Sequence, residues 1–344
     1  MDRKYTDYSV EKAVEFLGID SPTGFTNAAI AWVKKEFEQL GFETTQTVKG
    51  GLVVTLNGGN DNGILLEAHA DTLGGMVSCI KPNGRLKITP LGALRADNVE
   101  TENVRIYTRG GKVYDGTMQL VNASVHVNAN FSKTERSFDT TEIVIDEDVN
   151  SEQDTRALGI DVGDIVCFDP RTRVTESGYI KSRFLDDKLL VGILLGVAKY
   201  IKDTGKKPTR PLYAHITVYE EVNHGGSASV PVGITEALSL DMGCVGEGIA
   251  CTEKKVSICA KDSAGPYCYD FVTKLIEAAK KEGADYTLDV YPYYGSDVEA
   301  TLRSGADVKH GLIGPGVYAS HGYERSHKDG VAATLKVLKG YLEI

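Results

Sequence analysis

Between Gly75 and about Arg173 the chain loses helical periodicity almost completely, while the segments on either side mix helices with apolar strands. That interruption is the strongest constraint on the fold. Before it, residues 8–17 place Tyr8, Val14, Phe16 and Leu17 at helical spacing and stop near Gly18. After the turn Ser21-Pro22-Thr23-Gly24, residues 27–40 predict a second helix through Ile30, Trp32, Val33, Phe37 and Leu40, with Gly41 as its stop. Three strand-like runs follow, 43–48, 52–56 and 64–69, divided by Gly50-Gly51 and by the turn-forming segment 57–63. Inside the interruption, short alternating runs surround Pro82-Asn83-Gly84 and Arg109-Gly110-Gly111-Lys112. Its one helical piece is short, capped by Ser151 and ended by Gly159.

Beyond it the pattern predicts a long apolar helix over 189–202 and a buried strand over 212–219. Further strands are predicted at 237–241, 253–260, 285–291 and 308–313, and helices at 267–282 and 328–341. Helices alternating with strands imply an α/β layered domain with a mixed sheet. The expected organisation is a discontinuous α/β domain, residues 1–74 and 174–344, carrying an inserted all-β, barrel-like domain at 75–173. The competing reading is one continuous mixed sheet.

A chain of 344 residues suits two domains at roughly 100–200 residues each. Its 42% hydrophobic and 25% charged residues are ordinary for a globular protein. A net charge of −10 and a pI near 5.3 argue against a nucleic-acid partner. The first residues, Met1-Asp2-Arg3-Lys4-Tyr5, have no signal-peptide core, and no run approaches the roughly 18 apolar residues of a membrane span. The expectation is a cytoplasmic protein without a membrane partner. Cys79, Cys167, Cys244, Cys251, Cys259 and Cys268 include no C-x-x-C pair, which argues against a zinc ribbon or redox motif and for reduced core residues.

The apolar run Ile64-Leu65-Leu66-Glu67-Ala68 breaks into His69-Ala70-Asp71 and then Gly74-Gly75. Strand side chains alternate, so His69 and Asp71 share a face. A neutral imidazole is a good metal ligand, and a neighbouring carboxylate can take its second N–H. The alternative is a strand end whose polar groups only bond turn backbone. Four other places share the feature of a carboxylate or histidine closing an apolar run: Asp186, Glu220-Glu221, Asp241 and His321. In open α/β sheets such ends converge on the ligand crevice.

Glu220 and Glu221, adjacent after a buried strand, repel unless a proton or a cation intervenes. A divalent metal resolves this, one carboxylate ligating and the other accepting a proton from water, against the alternative of a solvated loop. Asp186 reads either as a helix N-cap, a role Asp187 could fill, or as a carboxylate bridging two metals. His321 competes with His327 and His224, whereas His126, His215 and His310 lie in strand-like contexts as structural residues. Nitrogen and oxygen donors without a thiolate suggest zinc, cobalt or manganese in a hydrolytic site.

The order His-x-Asp, Asp-Asp-Lys, Glu-Glu, Asp-Met-Gly and a late histidine, with an all-β insertion after the first motif and Tyr294-Gly295-Ser296-Asp297 near the end, resembles metallopeptidase family 42, the tetrahedral aminopeptidases. The resemblance spans nearly the whole chain and implies a phosphorylase/hydrolase-like catalytic domain with two divalent ions per subunit, zinc, or else cobalt or manganese. It implies His69 and Asp241 on one ion, Glu221 and His321 on the other, and Asp186 bridging them. Glu220 becomes the general base and Asp71 orients His69. The implied reaction removes N-terminal residues from short peptides with a free N-terminus. The implied assembly is a dodecamer built from dimers, to which the β insertion contributes contacts.

Thr72, Leu189-Leu190 and Ser320-His321-Gly322-Tyr323-Glu324-Arg325-Ser326-His327 depart from the common family pattern, and Tyr323 and Arg325 become candidates for the first substrate subsite. Two alternatives stand beside this reading: a related di-zinc carboxypeptidase or amidohydrolase, and a non-catalytic metal-binding assembly protein. Glu220 argues against the second, because a structural site needs no spare base.

Overall fold

The apolar run that ends in His69 forms the strand Gly63–His69, with every residue buried. Burial on both faces marks a strand covered by helices on either side. The computed structural model describes residues 1–344, and its elements follow in chain order. First come α1 (Arg3–Leu17), α2 (Asn27–Gln39), β1 (Glu43–Gln46), β2 (Leu52–Asn57) and β3 (Gly63–His69). Next are β4 (Gly74–Ile80), β5 (Leu86–Leu91), β6 (Asn103–Tyr107), β7 (Val113–Leu120), β8 (Thr141–Ile145), α3 (Glu152–Ala157) and β9 (Ile165–Phe168). After them lie β10 (Arg173–Val174), β11 (Tyr179–Ser182), α4 (Leu185–Thr204), β12 (Leu212–Thr217), β13 (Ile234–Leu240), β14 (Gly243–Val245) and β15 (Val256–Lys261). The chain closes with α5 (Tyr269–Glu282), β16 (Tyr286–Val290), α6 (Asp297–Arg303), β17 (Lys309–Tyr318), β18 (Glu324–His327) and α7 (Lys328–Leu342).

Two units result: Met1–Asp71 with Arg171–Ile344, and Thr72–Pro170. In the first, the mixed sheet runs β1-β2-β12-β3-β13-β17-β18-β11-β10, with β14 and β15 attached to β17 and β16 to β15. Its centre, β12-β3-β13-β17, is parallel. The carboxyl ends of these strands therefore share one edge, and β12 pairs Thr217 directly with His69 there. In the second unit β4-β5-β8-β7-β6-β9 closes into a barrel. Closure leaves no free strand edge, and the alternating positions Val104, Ile106, Met118, Leu120, Ile143 and Ile145 fill its interior. No helix is long and apolar enough to cross a membrane, and all six cysteines are free thiols.

Helix α1 begins at Arg3, several residues before the periodic pattern, because Tyr5 and Thr6 are also buried. Helix α6 is not anticipated; at seven residues it is too short for periodicity, although Asp297 and Glu299 in its first turn are a helix-start signal. Helix α4 is apolar on all sides and almost wholly buried, and two glycines let α1 lie close against it. A Cβ on Gly192 would come 2.5 Å from the Ser9 carbonyl oxygen, and one on Gly196 would come 2.0 Å from Ser9 Oγ.

Because α4 carries Asp186 and Asp187 at its head, this contact also fixes the site described below. Gly192→Ala meets backbone that cannot rotate away, and urea unfolding is expected to show a loss of about 1–3 kcal/mol despite the better helix propensity of alanine. Gly196→Ala is expected to destabilise the wild type but much less a Ser9→Ala background, which lacks the obstructing hydroxyl. Equal stability of all these variants would contradict the packing described.

Candidate active site

His69 is the last residue of β3, with its ring 1% exposed. Its Nδ1 lies 2.8 Å from the carbonyl oxygen of Asp71, which can only accept, so Nδ1 carries a proton. Its Nε2 faces Asp186 Oδ1 at 3.0 Å and Glu220 Oε2 at 3.7 Å.

Asp71 thus orients His69 through its main chain. Its carboxylate, 3.7 Å from Nδ1, instead accepts from Thr23 Oγ1 at 2.7 Å and from the N–H groups of Glu220 at 3.1 Å and Glu221 at 3.3 Å. Three donors converging on one buried carboxylate satisfy it better than a single strained contact to the ring would. The side chain therefore shapes the turn that bears the glutamate pair.

Asp186 and Asp187 open α4, but neither has helical φ/ψ, neither caps the helix, and the peptide bond between them is cis. Asp186 Oδ1 meets His69 and its Oδ2 lies 3.4 Å from His321 Nε2. Asp187 Oδ2 accepts the His69 main-chain N–H at 3.0 Å. Glu221 Oε2 is 3.6 Å from His321 Nε2. Asp241 follows β13, buried, with its Oδ1 accepting from the Met242 N–H at 2.6 Å.

Of the three competing histidines, His321 is the one whose ring meets Asp186 and Glu221. His327 caps α7: its Nδ1 accepts from the Asp329 N–H at 3.0 Å and its Nε2–H donates to the Ser177 carbonyl at 2.8 Å. His224 stacks on the Tyr219 ring at 4.9 Å.

One contributor went unassigned in the sequence. Glu324, 1% exposed, accepts from the His321 N–H at 2.9 Å and from the Asp186 N–H at 3.1 Å, tying the two backbones together. Its position three residues after His321 was the only available signal. Arg325, a candidate for the first substrate subsite, pairs with Glu253 at 3.1 Å and stacks its guanidinium 3.7 Å over the Tyr179 ring. Tyr323 is half-buried; its hydroxyl donates to the Arg171 carbonyl at 2.9 Å, and the Arg171 guanidinium lies 5.2 Å from its ring.

Two donor triads emerge, each with its ligand atoms within 4.8 Å of one another: His69, Asp186 and Glu221, and Asp186, Asp187 and Asp241. Asp186 belongs to both. Burial would raise its pKa, but the hydrogen bonds from His321 and His69 hold it below the usual carboxylate range. Burial would lower His69, yet the Asp186 hydrogen bond and the charges of Glu220 and Asp187 raise it well above its ordinary value. Burial lifts Glu220 and Glu221 far up, with Asp241 adding to the first and Asp186 to the second. Asp241 is pushed up to about 7 by burial and by the Asp186 charge.

These directions describe more buried negative charge than two histidines neutralise. Glu221 Oε1 and Asp187 Oδ1 are moreover buried without a hydrogen-bond partner. Oxygen and nitrogen donors, surplus negative charge and unpartnered carboxylate oxygens fit hard or borderline divalent cations.

Comparison with known proteins agrees with this geometry. Residues 50–337 match the family model described as M42 glutamyl aminopeptidase. YhfE of Bacillus subtilis (strain 168), provisionally named an aminopeptidase, is 44% identical over 336 residues, covering 97% of each chain. A TET aminopeptidase from the marine sediment archaeon Thaumarchaeota archaeon SCGC AB-539-E09 superposes with a TM-score of 0.86 at 20% identity, covering 97% of this chain and 96% of that one. The Pyrococcus horikoshii TET1 peptidase, described as assembling into a tetrahedron or a large octahedral shell, gives 0.84 at 21% identity, covering 97% and 99%. The two structures share the fold, and the family match, extending from the β1–β2 turn into α7, takes in every histidine and carboxylate of the two triads: this chain belongs to the M42 glutamyl aminopeptidase family and is an aminopeptidase, a hydrolase of peptide bonds.

Proposed function

We propose that the chain is a two-metal aminopeptidase that trims short peptides from a free N-terminus. The observation that carries this reading is Asp186, shared by two buried donor triads, with Glu220 3.7 Å from His69 at their margin. The family resemblance would place His69 and Asp241 on one divalent ion, Glu221 and His321 on the other, and Asp186 on both, a division that crosses the two triads, in which His69 groups with Glu221 and Asp241 with Asp187. Zinc suits this set, with cobalt or manganese as alternatives. When bound, such ions supply Lewis acidity to the scissile carbonyl and lower the pKa of water towards neutrality.

The remaining work falls to side chains. Glu220 takes the proton of the attacking water and returns it to the leaving amine nitrogen. Asp71 holds the Glu220 and Glu221 amides and, through its carbonyl, the His69 tautomer. Tyr323, two residues beyond His321, is the candidate for the first subsite; Arg325 is already bound to Glu253 and would contribute only through a rearrangement. By analogy with the TET shells, the chain self-associates into a closed assembly, a dodecamer built from dimers, with the barrel unit as the dimerisation element and the cytoplasm as its setting.

Two experiments test this. Chelation is expected to abolish release of p-nitroaniline from aminoacyl-nitroanilides, zinc or cobalt to restore it, and N-acetylated substrates to stay intact in every state. Restoration without metal, or turnover of blocked substrates, would contradict the reading. Glu220→Gln is expected to keep both ions by metal analysis while kcat falls roughly 10²–10⁴-fold, the usual worth of a general base. Undiminished turnover in a fully loaded Glu220→Gln enzyme would remove Glu220 from the mechanism.

A further inference from the structure

Strand β2 runs antiparallel to β12, with Leu52 opposite Ile216, so the β1–β2 turn lies at the same sheet edge as His69. The turn packs closely there: a Cβ on Gly51 would come 2.8 Å from the Ile216 carbonyl oxygen. From this turn Lys49 reaches across to the loop that follows Glu220 and Glu221. Its ammonium donates to the carbonyl of His224, to that of Gly225 at 2.7 Å, and to Ser227 Oγ at 2.9 Å. A lysine carries three N–H donors, and these three oxygens engage all of them. The same charge faces the carboxylates of Asp297, Asp71 and Glu67.

The loop it grips needs such support. Tyr219 and Asn223 both adopt left-handed backbone, at φ 72° and 67°, which side chains other than glycine seldom occupy. The Asp71 carboxylate secures the loop's beginning. At its end Thr301 Oγ1 donates to the Gly226 carbonyl at 2.9 Å, and Gly225 lies so near Asp297 that a Cβ would come 2.1 Å from Oδ1. The loop is held at the Glu220 end by Asp71 and at the other end by Lys49 and Thr301.

We propose that Lys49 is a positioning residue for Glu220, fixing the 220–227 loop by these hydrogen bonds and balancing the buried carboxylates around it. The proposal rests on the reading of Glu220 as the general base. Lys49 lies just outside the stretch matched by the family model, which begins at residue 50. It makes none of its hydrogen bonds to His69, Asp186, Glu220, Glu221, Asp241 or His321, so it acts on the site only through the loop.

The test uses the full metal-loaded enzyme with Lys49→Met, which keeps the apolar stem and removes the donors, and with Lys49→Arg, which keeps the charge. Lys49→Met is expected to lose roughly tenfold or more in kcat, with KM within about twofold, and metal content and melting temperature as in the wild type. Lys49→Arg is expected to recover part of the loss. In a Glu220→Gln background, adding Lys49→Met should reduce kcat by less than about twofold, because both act on one group. Wild-type kcat in Lys49→Met, an undiminished further loss in the Glu220→Gln background, or a loss that follows metal release or unfolding would overturn the proposal. Failure of the general-base reading shows separately, as wild-type turnover in Glu220→Gln alone.

Discussion

Carboxylates removed from water repel one another, and each loses several kcal/mol of hydration that only close positive partners return. Asp186, Asp187, Glu221 and Asp241 are crowded in this way at one edge of the sheet, with His69 and His321 as the nearest nitrogen donors. The α/β unit is arranged to bring them there. Parallel β3, β12 and β13 end at a common edge, the unwound head of α4 brings two aspartates to it, and the β17–β18 turn brings His321. Backbone donors supply part of the compensation: the His69 N–H to Asp187, the Met242 N–H to Asp241, and the Asp186 and His321 N–H groups to Glu324. They do not reach Glu221 Oε1 or Asp187 Oδ1. The surplus charge is the physical ground for assigning cations to the site.

Much of the architecture is legible in the amino-acid sequence because burial writes periodicity. The α/β segments and the β insertion differ in period, and strand ends marked by His69, Glu220 and Asp241 stand out as charges closing apolar runs. What stays hidden depends on backbone detail or on distant pairing. Asp71 sits beside His69 in sequence, yet only the turn conformation decides that its carbonyl takes the ring N–H and its carboxylate the Glu220 and Glu221 amides. His321 and His327 are equivalent as letters; they separate because His327 follows into α7 and caps it. Asp186 and Asp187 look like helix caps, but their non-helical backbone turns them away from that task. Lys49 and Gly225 meet only because of the antiparallel β2–β12 register, which no local pattern reveals.

The loop from Glu220 to Ser227 links charge to chemistry. Glu221 faces the charge cluster, Glu220 stands at its margin, and the segment beyond them is closed by glycines that admit no side chain against Asp297 and Thr301. A base useful for proton transfer must be held within hydrogen-bonding reach of its proton, so rigidity of this loop matters as much as the identity of the glutamate. The central claim is that cations, and not protons alone, neutralise the cluster around Asp186. Anomalous diffraction at the zinc absorption edge, on crystals of the zinc-loaded protein, tests it most directly. Two peaks are expected to flank Asp186, one shared with His69 and Asp241 and the other with Glu221 and His321. A single peak, peaks elsewhere, or none would contradict it.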